Sequence, residues 1–311
     1  ILNECFLSEK HLEKLKKLGE VTFYKDTETE EETIKRVNGM DVVIADCFST
    51  PLTKNVFEKT SSVRYLTVCW TGYDGVDIES AHHKGIILSN VPDYSLDAVA
   101  EHTIGLMFAV VKKITLGDRE MRKNPFQISS AQNKFNELIG FNLRGKTLGL
   151  IGLGRIGSRV AELAKGIGMN VCSFSRSPKH NSAIAQTSFE DVLRQSDIVS
   201  LHIPLTPNTK EMFGKKEFNM MKTESVIINT ARGGLINEGD LFEALESKQL
   251  AGAGLDTISN LDKANPLFTL DTVVFTPHSA FFTAESVAKQ GDTIVANVEA
   301  FVKGNPINLI T

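Results

Sequence analysis

Residues 146–178 read KTLGLIGLGRIGSRVAELAKGIGMNVCSFSRSP, and the rest of the chain is arranged around this segment. Thr147 to Ile151 predicts a short buried strand that runs directly into the turn GLGRIG, residues 152–157. Apolar residues then recur at helical spacing, and residues 170–175 predict a second strand. A GxGxxG motif between a strand and an amphipathic helix is typical of a site for the pyrophosphate of a dinucleotide.

The three glycines of this turn have different tasks. Gly152 allows the tight turn, Gly154 lets a pyrophosphate approach the backbone, and Gly157 lets the helix pack close to the strand. The amino terminus of the helix then offers unpaired N–H groups and a partial positive charge to the phosphates. A purely structural glycine turn is the alternative, and the surrounding strand-helix-strand pattern disfavours it.

The end of the second predicted strand indicates which nicotinamide cofactor fits. An NAD(H) site places Asp or Glu there for the ribose 2′-hydroxyl, whereas a 2′-phosphate calls for Arg. This chain has Ser175, Arg176 and Ser177 at that place, with Lys179 close behind. Arg176 is suited to a bidentate bond with phosphate, and the serines add hydroxyls. We therefore expect NADP(H) in preference to NAD(H), with a solvated turn arginine as the alternative interpretation.

Composition excludes several classes of protein. The 311 residues suggest about two domains, and 41% hydrophobic content is enough for ordinary cores. A net charge of −4 does not indicate binding to nucleic acid or to an anionic membrane, because both attract positively charged surfaces. Since no apolar run approaches the roughly 18 residues of a membrane span and no signal peptide is recognisable, we expect a cytoplasmic protein without a membrane partner.

The cysteines and most histidines suggest no chemistry. Cys5, Cys47, Cys69 and Cys172 lack metal-site spacing, so buried free thiols in a reducing compartment and no metal are expected. Histidine at positions 11, 82, 83 and 180 is predicted to lie at the surface. His102 falls in a long helix, where a structural hydrogen bond is expected.

Strands and helices alternate along the whole chain, which indicates the α/β class with doubly wound parallel sheets. Strands are predicted over residues 1–6, 21–24, 41–46, 64–70 and 85–92, with helices over 8–18, 30–37 and 53–60 between them. A long apolar helix follows Ser95 and starts a second domain, and residues 124–142 are predicted to be an irregular connection. The final helix, residues 283–303, is expected to pack back on the first domain.

Several polar residues stand where predicted strands end. Arg232 lies in TARGG, Asp256 in GLDT and His278 in TPHSA, and ligands of open α/β sheets bind beyond the carboxyl ends of strands. Hydride transfer to a carbonyl needs a proton donor, which His supplies near neutral pH. It also needs a cation for a substrate carboxylate, which suits Arg. Likewise, the amides of Thr71 and Gly72 follow a strand and are placed to hold a small anion, although a plain glycine turn is equally compatible with that segment.

Six motifs together resemble the signatures of the D-isomer-specific 2-hydroxyacid dehydrogenase family, in the family's order and over almost the whole chain. They are NVPDYSLDAVAEHTIGLM (90–107), GLGRIG (152–157), LHIPLTPNT (201–209), NTARGGLINE (229–238), GLDT (254–257) and TPHSAFFT (276–283). The resemblance implies two Rossmann-like domains with a cleft between them, and a homodimer. Residues 1–96 plus 282–311 would form a flavodoxin-like substrate-binding domain, and residues 97–281 the dinucleotide-binding domain.

The resemblance also implies roles for individual residues. Arg232 would bind the substrate carboxylate and keto oxygen, and His278 would be the general acid and base, supported by Asp256. The amides of Thr71 and Gly72 would hold the carboxylate. Besides the glycine turn and residues 175–177, the implied cofactor contacts are Arg155, Ile156, His202, Pro204, Thr209, Thr230, Ala231, Arg232, Asp256 and His278.

The sequence departs from the family at one position. The family places a Glu, paired with the catalytic His, about five residues after the position of Asp256, and this chain has Leu261 there. Asp262 is the nearby acid and a doubtful substitute. If Asp262 does not reach His278, the imidazole lacks the carboxylate that would raise its pKa, and the pH limit for ketone reduction moves to the acid side.

The predicted reaction is NAD(P)H-dependent reduction of a 2-oxo acid to the D-2-hydroxy acid. Aromatic residues predict an apolar pocket for a small to medium apolar or aromatic side chain, with ordinary core packing as the alternative for each: Phe48, Trp70, Tyr73, Tyr94, Phe281 and Phe282. A weakly active or non-enzymatic dinucleotide sensor of the same fold is the rival hypothesis. The missing Glu favours the sensor slightly, whereas retention of both Arg232 and His278 favours catalysis more.

Overall fold

Two parallel sheets form the framework of the chain in the computed structural model, which describes residues 1–123, 125, 136–177 and 184–311. The chain divides into two units. Unit 1 comprises Ile1–Ser95 and Phe282–Thr311, and unit 2 comprises Leu96–Phe281. The predicted α/β class with parallel sheets is confirmed. Most of the predicted irregular connection, together with Lys179 and His180, lies outside the described residues.

Unit 1 has a three-stranded sheet and unit 2 a seven-stranded one within the described ranges, and every pairing in both is parallel. The strands of unit 1 are β1 (Val42–Ala45), β2 (Tyr65–Val68) and β3 (Ile87–Ser89), in the order β1-β2-β3. The strands of unit 2 are β4 (Thr147–Ile151), β5 (Asn170–Phe174), β6 (Ala185–Gln186), β7 (Ile198–Leu201), β8 (Ser225–Asn229), β9 (Leu250–Leu255) and β10 (Val273–Phe275). Their order is β10-β9-β8-β7-β4-β5-β6.

The helices fill the connections between these strands. In unit 1 they are α1 (Glu9–Lys16), α2 (Glu30–Val37), α3 (Lys54–Lys59), α4 (Ile78–His83) and the last helix of the chain, α11 (Ala284–Val302). In unit 2 they are α5 (Leu96–Val111), α6 (Ile114–Lys123), α7 (Arg155–Gly166), α8 (Phe189–Gln195), α9 (Lys215–Met220) and α10 (Glu238–Glu246). Short 3₁₀ turns cover Asn136–Leu138, Gly233–Leu235 and Pro266–Thr269.

The first two predicted strands are wrong in extent, because they shrink to single bridges. Leu2 pairs with Ala45 on one side and Tyr24 on the other, both in parallel. Asn3 (φ 62°) and Phe6 (φ 49°) take the left-handed conformation, which turns the chain out of an extended strand. With these bridges the spatial order of the sheet is the segment at Tyr24, the segment at Leu2, β1, β2 and β3. Numbered along the chain, these five extended segments have the order 2-1-3-4-5, which is typical of doubly wound folds.

Apolar residues cover both faces of the sheet in unit 2, as parallel sheets require. On one face α5 packs Leu106, Met107 and Val110 against the strands. On the other face, α8, α9 and α10 contribute the side chains Leu193, Phe218 and Leu241. The long apolar helix predicted after Ser95 is therefore α5, and its burial is explained within unit 2 by the sheet and by α7.

Polar bonds attach α11 to the sheet of unit 1. The Nε2 group of Gln290 donates to the carbonyl of Cys69 (2.6 Å), and the Nδ2 group of Asn297 donates to the Oγ1 atom of Thr67 (3.1 Å). Gln290 and Asn297 are both fully buried. Buried amides without such partners would be costly, so these bonds favour one position of the helix on the sheet.

His11 is buried, so its predicted surface location is wrong. Its Nδ1 atom accepts the N–H of Ser8 (3.2 Å), which leaves the ring proton on Nε2, 3.5 Å from the carboxylate of Asp292. The ring lies directly against the backbone of Gly291 in α11. His82 and His83 are exposed, as predicted.

Two of the four cysteines form a disulfide, which corrects the prediction of free thiols. Cys5 and Cys69 have their Cα atoms 5.6 Å apart, within the range of a disulfide, and they are bonded. They are 64 residues apart in the sequence, and they meet because the segment at Leu2 and strand β2 both flank β1. Cys47 and Cys172 are buried thiols that form no disulfide within the described ranges. In the part of the chain that is described, no helix is long and apolar enough to cross a membrane.

Replacing Gly291 with Ala is expected to destabilise unit 1, because the new methyl group would meet the imidazole of His11. Overpacking of this kind costs about 1–3 kcal/mol. The free energy of unfolding in urea measures the effect. Gly19→Ala is the matched control, since Gly19 has open space around it and no left-handed φ. Equal stability of the two variants would contradict the contact.

Candidate active site

One row of residues crosses the seven-stranded sheet where its strands end. The strand register aligns Phe174, Ile151, Leu201, Asn229, Leu255 and Phe275. The residues that follow them in the chain are Ser175, Gly152, His202, Thr230, Asp256 and Thr276. Because all strands are parallel, these residues lie along a single edge of unit 2, which is where ligands of this architecture bind.

The glycine turn lies at the central strand of this row. Gly152 has φ +100°, and a side chain there would also meet the carbonyl of His202. Its N–H donates to the carbonyl of Phe174 (2.8 Å), and the N–H of Leu153 donates to the Oγ atom of Ser175 (2.8 Å). These bonds tie the glycine turn to the end of β5.

The amino terminus of α7 is open for an anion. Gly154 is the N-cap residue and provides no side-chain cap, and its exposed Cα has free space beside it. The amides of Ile156 and Gly157 donate to no acceptor within the described ranges. Unpaired amides at the start of a helix, with the partial positive charge of the helix dipole, fit a pyrophosphate.

Arg176 follows β5 and is exposed to solvent. It makes no hydrogen bond or ion pair with any residue that the structure describes. Ser177 beside it is also exposed, and neither Asp nor Glu stands at residues 175–177. The end of β5 therefore presents an available guanidinium and no carboxylate.

Asn229 shapes the turn that carries Arg232. Its buried side chain accepts the N–H of Ala231 (3.0 Å) and donates to the carbonyl of Arg232 (2.8 Å). The Nη1 group of Arg232 donates to the carbonyl of Ala231 (2.9 Å), and the Oγ1 atom of Thr230 is 3.0 Å from that of Thr103. The role of Asn229 was not predicted from the sequence, although a polar Asn at the end of the apolar strand SVIIN is a signal that could have indicated it.

Asp256 fixes the loop that carries His278. Its Oδ1 atom accepts the hydroxyl of Thr276 (2.6 Å) and the N–H of Ser279 (2.9 Å), and its Oδ2 atom accepts the N–H of Ala280 (3.1 Å). The N–H of His278 donates to the carbonyl of Asp256 (2.8 Å). Within this loop His278 has φ +55°, an uncommon conformation for a residue with a side chain.

His102 supports the same loop from α5. Its Nε2 atom lies 2.9 Å from the Oγ1 atom of Thr276 and 3.6 Å from the carboxylate of Asp256. Because the hydroxyl proton of Thr276 goes to Asp256, the Nε2–H group of His102 is the donor to Thr276. The predicted structural hydrogen bond of His102 is confirmed.

The surroundings of His278 lower its pKa. Burial is the largest cause, the charge of Arg232 lowers the pKa further, and the charge of Asp256 raises it in part. Arg232 and His278 therefore lie close enough to interact electrostatically. A neutral imidazole is the dominant form of His278 at neutral pH.

Asp262 does not take the place of the expected Glu, which corrects that suggestion. Its carboxylate accepts the N–H of Ala264 (2.9 Å), and the neighbouring Leu261 is 76% exposed. Among the described residues, no carboxylate is hydrogen-bonded to the imidazole of His278. Glu238, which the sequence did not single out, holds this loop by accepting the N–H of Ser259 (2.6 Å) and the amide of Asn265 (2.8 Å).

His202 and Thr209 belong to a turn after β7. Burial lowers the pKa of His202 to about 4, so the ring is neutral at physiological pH, and its Nε2 atom lies 2.9 Å from the Oγ atom of Ser200. The Oγ1 group of Thr209 donates to the carbonyl of Pro204 (2.7 Å) and accepts the N–H of Thr206 (2.8 Å). The predicted cofactor residues of this segment thus form an ordered turn beside the glycine turn.

Unit 1 has a candidate anion-binding element of its own, the loop after β2. The amides of Thr71, Gly72 and Tyr73 donate to no acceptor in the described parts of the chain. The hydroxyl of Thr71 donates to the carbonyl of Val91 (2.8 Å), and the amide of Asn90 donates to the carbonyl of Thr71 (2.7 Å). The loop is therefore held while its N–H groups stay available to an anion.

The predicted aromatic pocket residues do not form one group. Phe48, Tyr73 and Phe282 are exposed at the surface of unit 1, at 50%, 38% and 54%. Tyr94 is 6% exposed, and its place in a pocket wall stays a prediction. Phe281 lies in unit 2, where its ring meets that of His278 edge-on at 6.2 Å.

The parallel sheet of unit 2, with its glycine turn at the central strand, defines a Rossmann fold for a nicotinamide dinucleotide. Residues 104–280 match the family model described as D-isomer specific 2-hydroxyacid dehydrogenase, NAD binding domain. The chain belongs to this family. It is accordingly an NAD(P)-dependent oxidoreductase of the 2-hydroxyacid dehydrogenase class.

Similar proteins support the assignment over the full length of the chain. A glycerate dehydrogenase of Methylorubrum extorquens is 33% identical over 291 residues, 92% of this chain and 90% of the relative. A glyoxylate reductase of Thermococcus litoralis is 32% identical, covering 98% of this chain and 94% of the relative. Among solved structures, an acyclic imino acid reductase (Bsp5) in complex with NADPH and D-Arg has a TM-score of 0.93 at 35% identity, covering 100% of this chain and 98% of the other.

Replacing Asp256 with Asn is expected to lower the pKa of His278, because the variant loses the negative charge that raises it. Asp262→Asn is the matched control and is expected to leave this pKa unchanged, since Asp262 bonds to its own loop. A pH titration of the histidine ring signals by NMR measures both, with the signal assigned by its loss in His278→Gln. A shift in the control and none in Asp256→Asn would show that the roles are reversed.

Proposed function

We propose that this chain reduces a 2-oxo acid to the D-2-hydroxy acid with NADPH as the cofactor. The observation that carries the proposal is the pair Arg232 and His278, each in a turn fixed by a buried side chain at the edge that also holds the glycine turn. The D configuration rests on the family resemblance.

The substrate carboxylate is held by hydrogen-bond donors in this proposal. The family resemblance assigns the carboxylate to the N–H groups of Thr71 and Gly72, which are available to donate, and to the guanidinium of Arg232, which would also bind the keto oxygen. Polarisation of the carbonyl by Arg232 favours the negative charge that forms on the oxygen during reduction.

His278 supplies the proton. When bound, the reduced nicotinamide supplies a hydride, which forms the new C–H bond while the carbonyl π electrons move to oxygen. The imidazolium of His278 then gives its proton to that oxygen, and the neutral imidazole remains. In the oxidative direction the same neutral imidazole takes the proton from the hydroxy acid.

The same residues fit a second candidate reaction, reduction of a 2-imino acid. The lowered pKa of His278 and the exposed Leu261 at the place of the family's Glu favour it, because a protonated imine needs no further proton when it accepts a hydride. The acyclic imino acid reductase with a TM-score of 0.93 gives independent support.

The rate of 2-oxo acid reduction is expected to fall as pH rises, with a midpoint on the acid side of the ordinary His value of 6.5. The reason is that His278 must be protonated to act and its pKa is lowered. The measurement is kcat/KM from the loss of NADPH absorbance between pH 5 and 8. Each 2-oxo acid is assayed with and without ammonium.

Four outcomes of this assay are informative. A low midpoint without ammonium supports ketone reduction, whereas activity only with ammonium supports the imine. A midpoint above 7 that moves in Asp262→Asn would reveal a carboxylate partner of His278. Tight NADPH binding with no oxidation under either condition favours the dinucleotide sensor.

Arg176→Gln is expected to raise the KM for NADPH about 10- to 100-fold and to leave the KM for NADH nearly unchanged. The reason is that a charge-assisted bidentate bond to phosphate contributes about 1.5–3 kcal/mol. Steady-state kinetics with both cofactors measures the effect. Arg194→Gln is the control, since Arg194 is an exposed arginine on α8. An equal effect on both cofactors would assign Arg176 to something other than a 2′-phosphate.

A homodimer and a cytoplasmic location stay predictions. The family resemblance supports the homodimer, and sedimentation equilibrium measures the mass of the assembly. The Cys5–Cys69 disulfide counts against the cytoplasmic location, because disulfides are rare in reducing compartments. The number of thiols that react in protein isolated under alkylating conditions tests whether this bond forms in the cell.

A further inference from the structure

Four rings form a cluster on the surface of unit 1, and we call it the aromatic cluster: Phe6, Phe48, Trp70 and Phe282. Phe6 lies 5.3 Å from Phe282 and 6.0 Å from Trp70, and Phe48 lies 6.2 Å from Trp70, measured between ring centroids. Phe48 and Phe282 are about half exposed, at 50% and 54%. Large rings gathered at the surface indicate a binding surface rather than core packing.

Two carboxylates adjoin the aromatic cluster. Asp46 accepts the indole N–H of Trp70 (2.5 Å) and the N–H of Phe48 (3.0 Å), and Glu4 accepts the N–H of Phe6 (2.9 Å). Neither carboxylate forms an ion pair with any Lys, Arg or His in the described ranges. The cluster thus carries two negative charges that no cation of the described chain neutralises.

This combination of groups selects a cation. The faces of aromatic rings attract cations, and a guanidinium both stacks on rings and pairs with carboxylates. An apolar side chain would gain from the rings but nothing from the two charges, and a negatively charged one would be repelled. The aromatic residues that predicted an apolar pocket from sequence are therefore better matched to a positive group.

The aromatic cluster is also next to the loop that would hold the substrate. Trp70 directly precedes Thr71 and Gly72, whose amides are available to a carboxylate. Asp46 follows β1 and Trp70 follows β2 closely, and these two strands are paired in parallel, so the aromatic cluster and this loop lie at the same edge of the sheet of unit 1.

We propose that the aromatic cluster with Glu4 and Asp46 is the subsite for the substrate's side chain, and that this side chain is cationic, a guanidinium or an ammonium group. The proposal rests on the function proposed above and names its substrate class. Asp46 and Glu4 are specificity-determining residues in it, and they act by their charge.

The test compares two 2-oxo acids of equal length, one with a guanidino end (2-oxo-5-guanidinopentanoate) and one with a neutral ureido end (2-oxo-5-ureidopentanoate). Both are assayed with NADPH, with and without ammonium, beside phenylpyruvate. We expect kcat/KM for the guanidino acid to exceed that for the ureido acid about tenfold, as expected for a cation–π contact with charge pairing. The ratio is expected to fall toward one in Asp46→Asn and Glu4→Gln, which keep a hydrogen-bond acceptor without the charge.

Glu31→Gln, an exposed carboxylate of α2 in the same unit, is the matched control and is expected to keep the ratio. Equal or better use of the ureido acid or phenylpyruvate overturns the proposal. So does a guanidino preference that survives in both charge variants.

A binding measurement separates this proposal from the proposed function. Trp70 is the one tryptophan in the sequence, so intrinsic fluorescence reports directly on the aromatic cluster. Arginine and its neutral analogue citrulline, each in both enantiomers, serve as probes that need no turnover. A response to arginine that is lost in Asp46→Asn supports the cationic subsite even when no acid is reduced. A response to citrulline of equal strength, or none to arginine, overturns the proposal whatever the enzyme reduces.

Discussion

The buried carboxylate of Asp256 is the constraint on which the placement of His278 depends. A charged group that is 2% exposed is unfavourable unless its oxygens are fully hydrogen-bonded. Here the donors are the hydroxyl of Thr276 and the amides of Ser279 and Ala280, all on one short loop. The same bonds that stabilise the charge bend the backbone and hold His278 in its left-handed conformation. The free energy gained by hydrogen-bonding the buried carboxylate of Asp256 thus offsets the backbone strain at His278.

The parallel sheet places this loop at the same edge of unit 2 as the other candidate groups. Its register brings the last residues of six strands into one row, so each following turn starts from the same edge. Side chains buried at the base of the turns then fix their conformations, as Asn229 does for the turn of Arg232. Rigid strand ends with short hydrogen-bonded turns give the candidate site precise backbone positions.

Features that depend on local sequence could be predicted, and those that depend on distant partners could not. The strand-turn-helix pattern around Gly152 and the alternation that defines the sheets are local, and the fold class followed from them. The disulfide of Cys5 with Cys69 joins residues 64 positions apart, and the burial of His11 depends on Gly291 of α11. For Tyr94, which is 6% exposed, the local signal is the same in a pocket wall and in a core, so the sequence alone does not separate the two.

In the described part of the chain no carboxylate is hydrogen-bonded to the imidazole of His278, and this bears on the supply of protons in the proposed reaction. A paired carboxylate would raise the pKa of the imidazole and keep it ready to donate a proton near neutral pH. Here burial and the charge of Arg232 act together to lower that pKa, and Asp256 offsets them in part from beneath the loop. A ketone needs a proton from the small protonated fraction of His278. A protonated imine already carries a positive charge, and hydride transfer neutralises it without a further proton. In the proposed function, the lowered pKa of His278 therefore limits reduction of a ketone more than reduction of an imine.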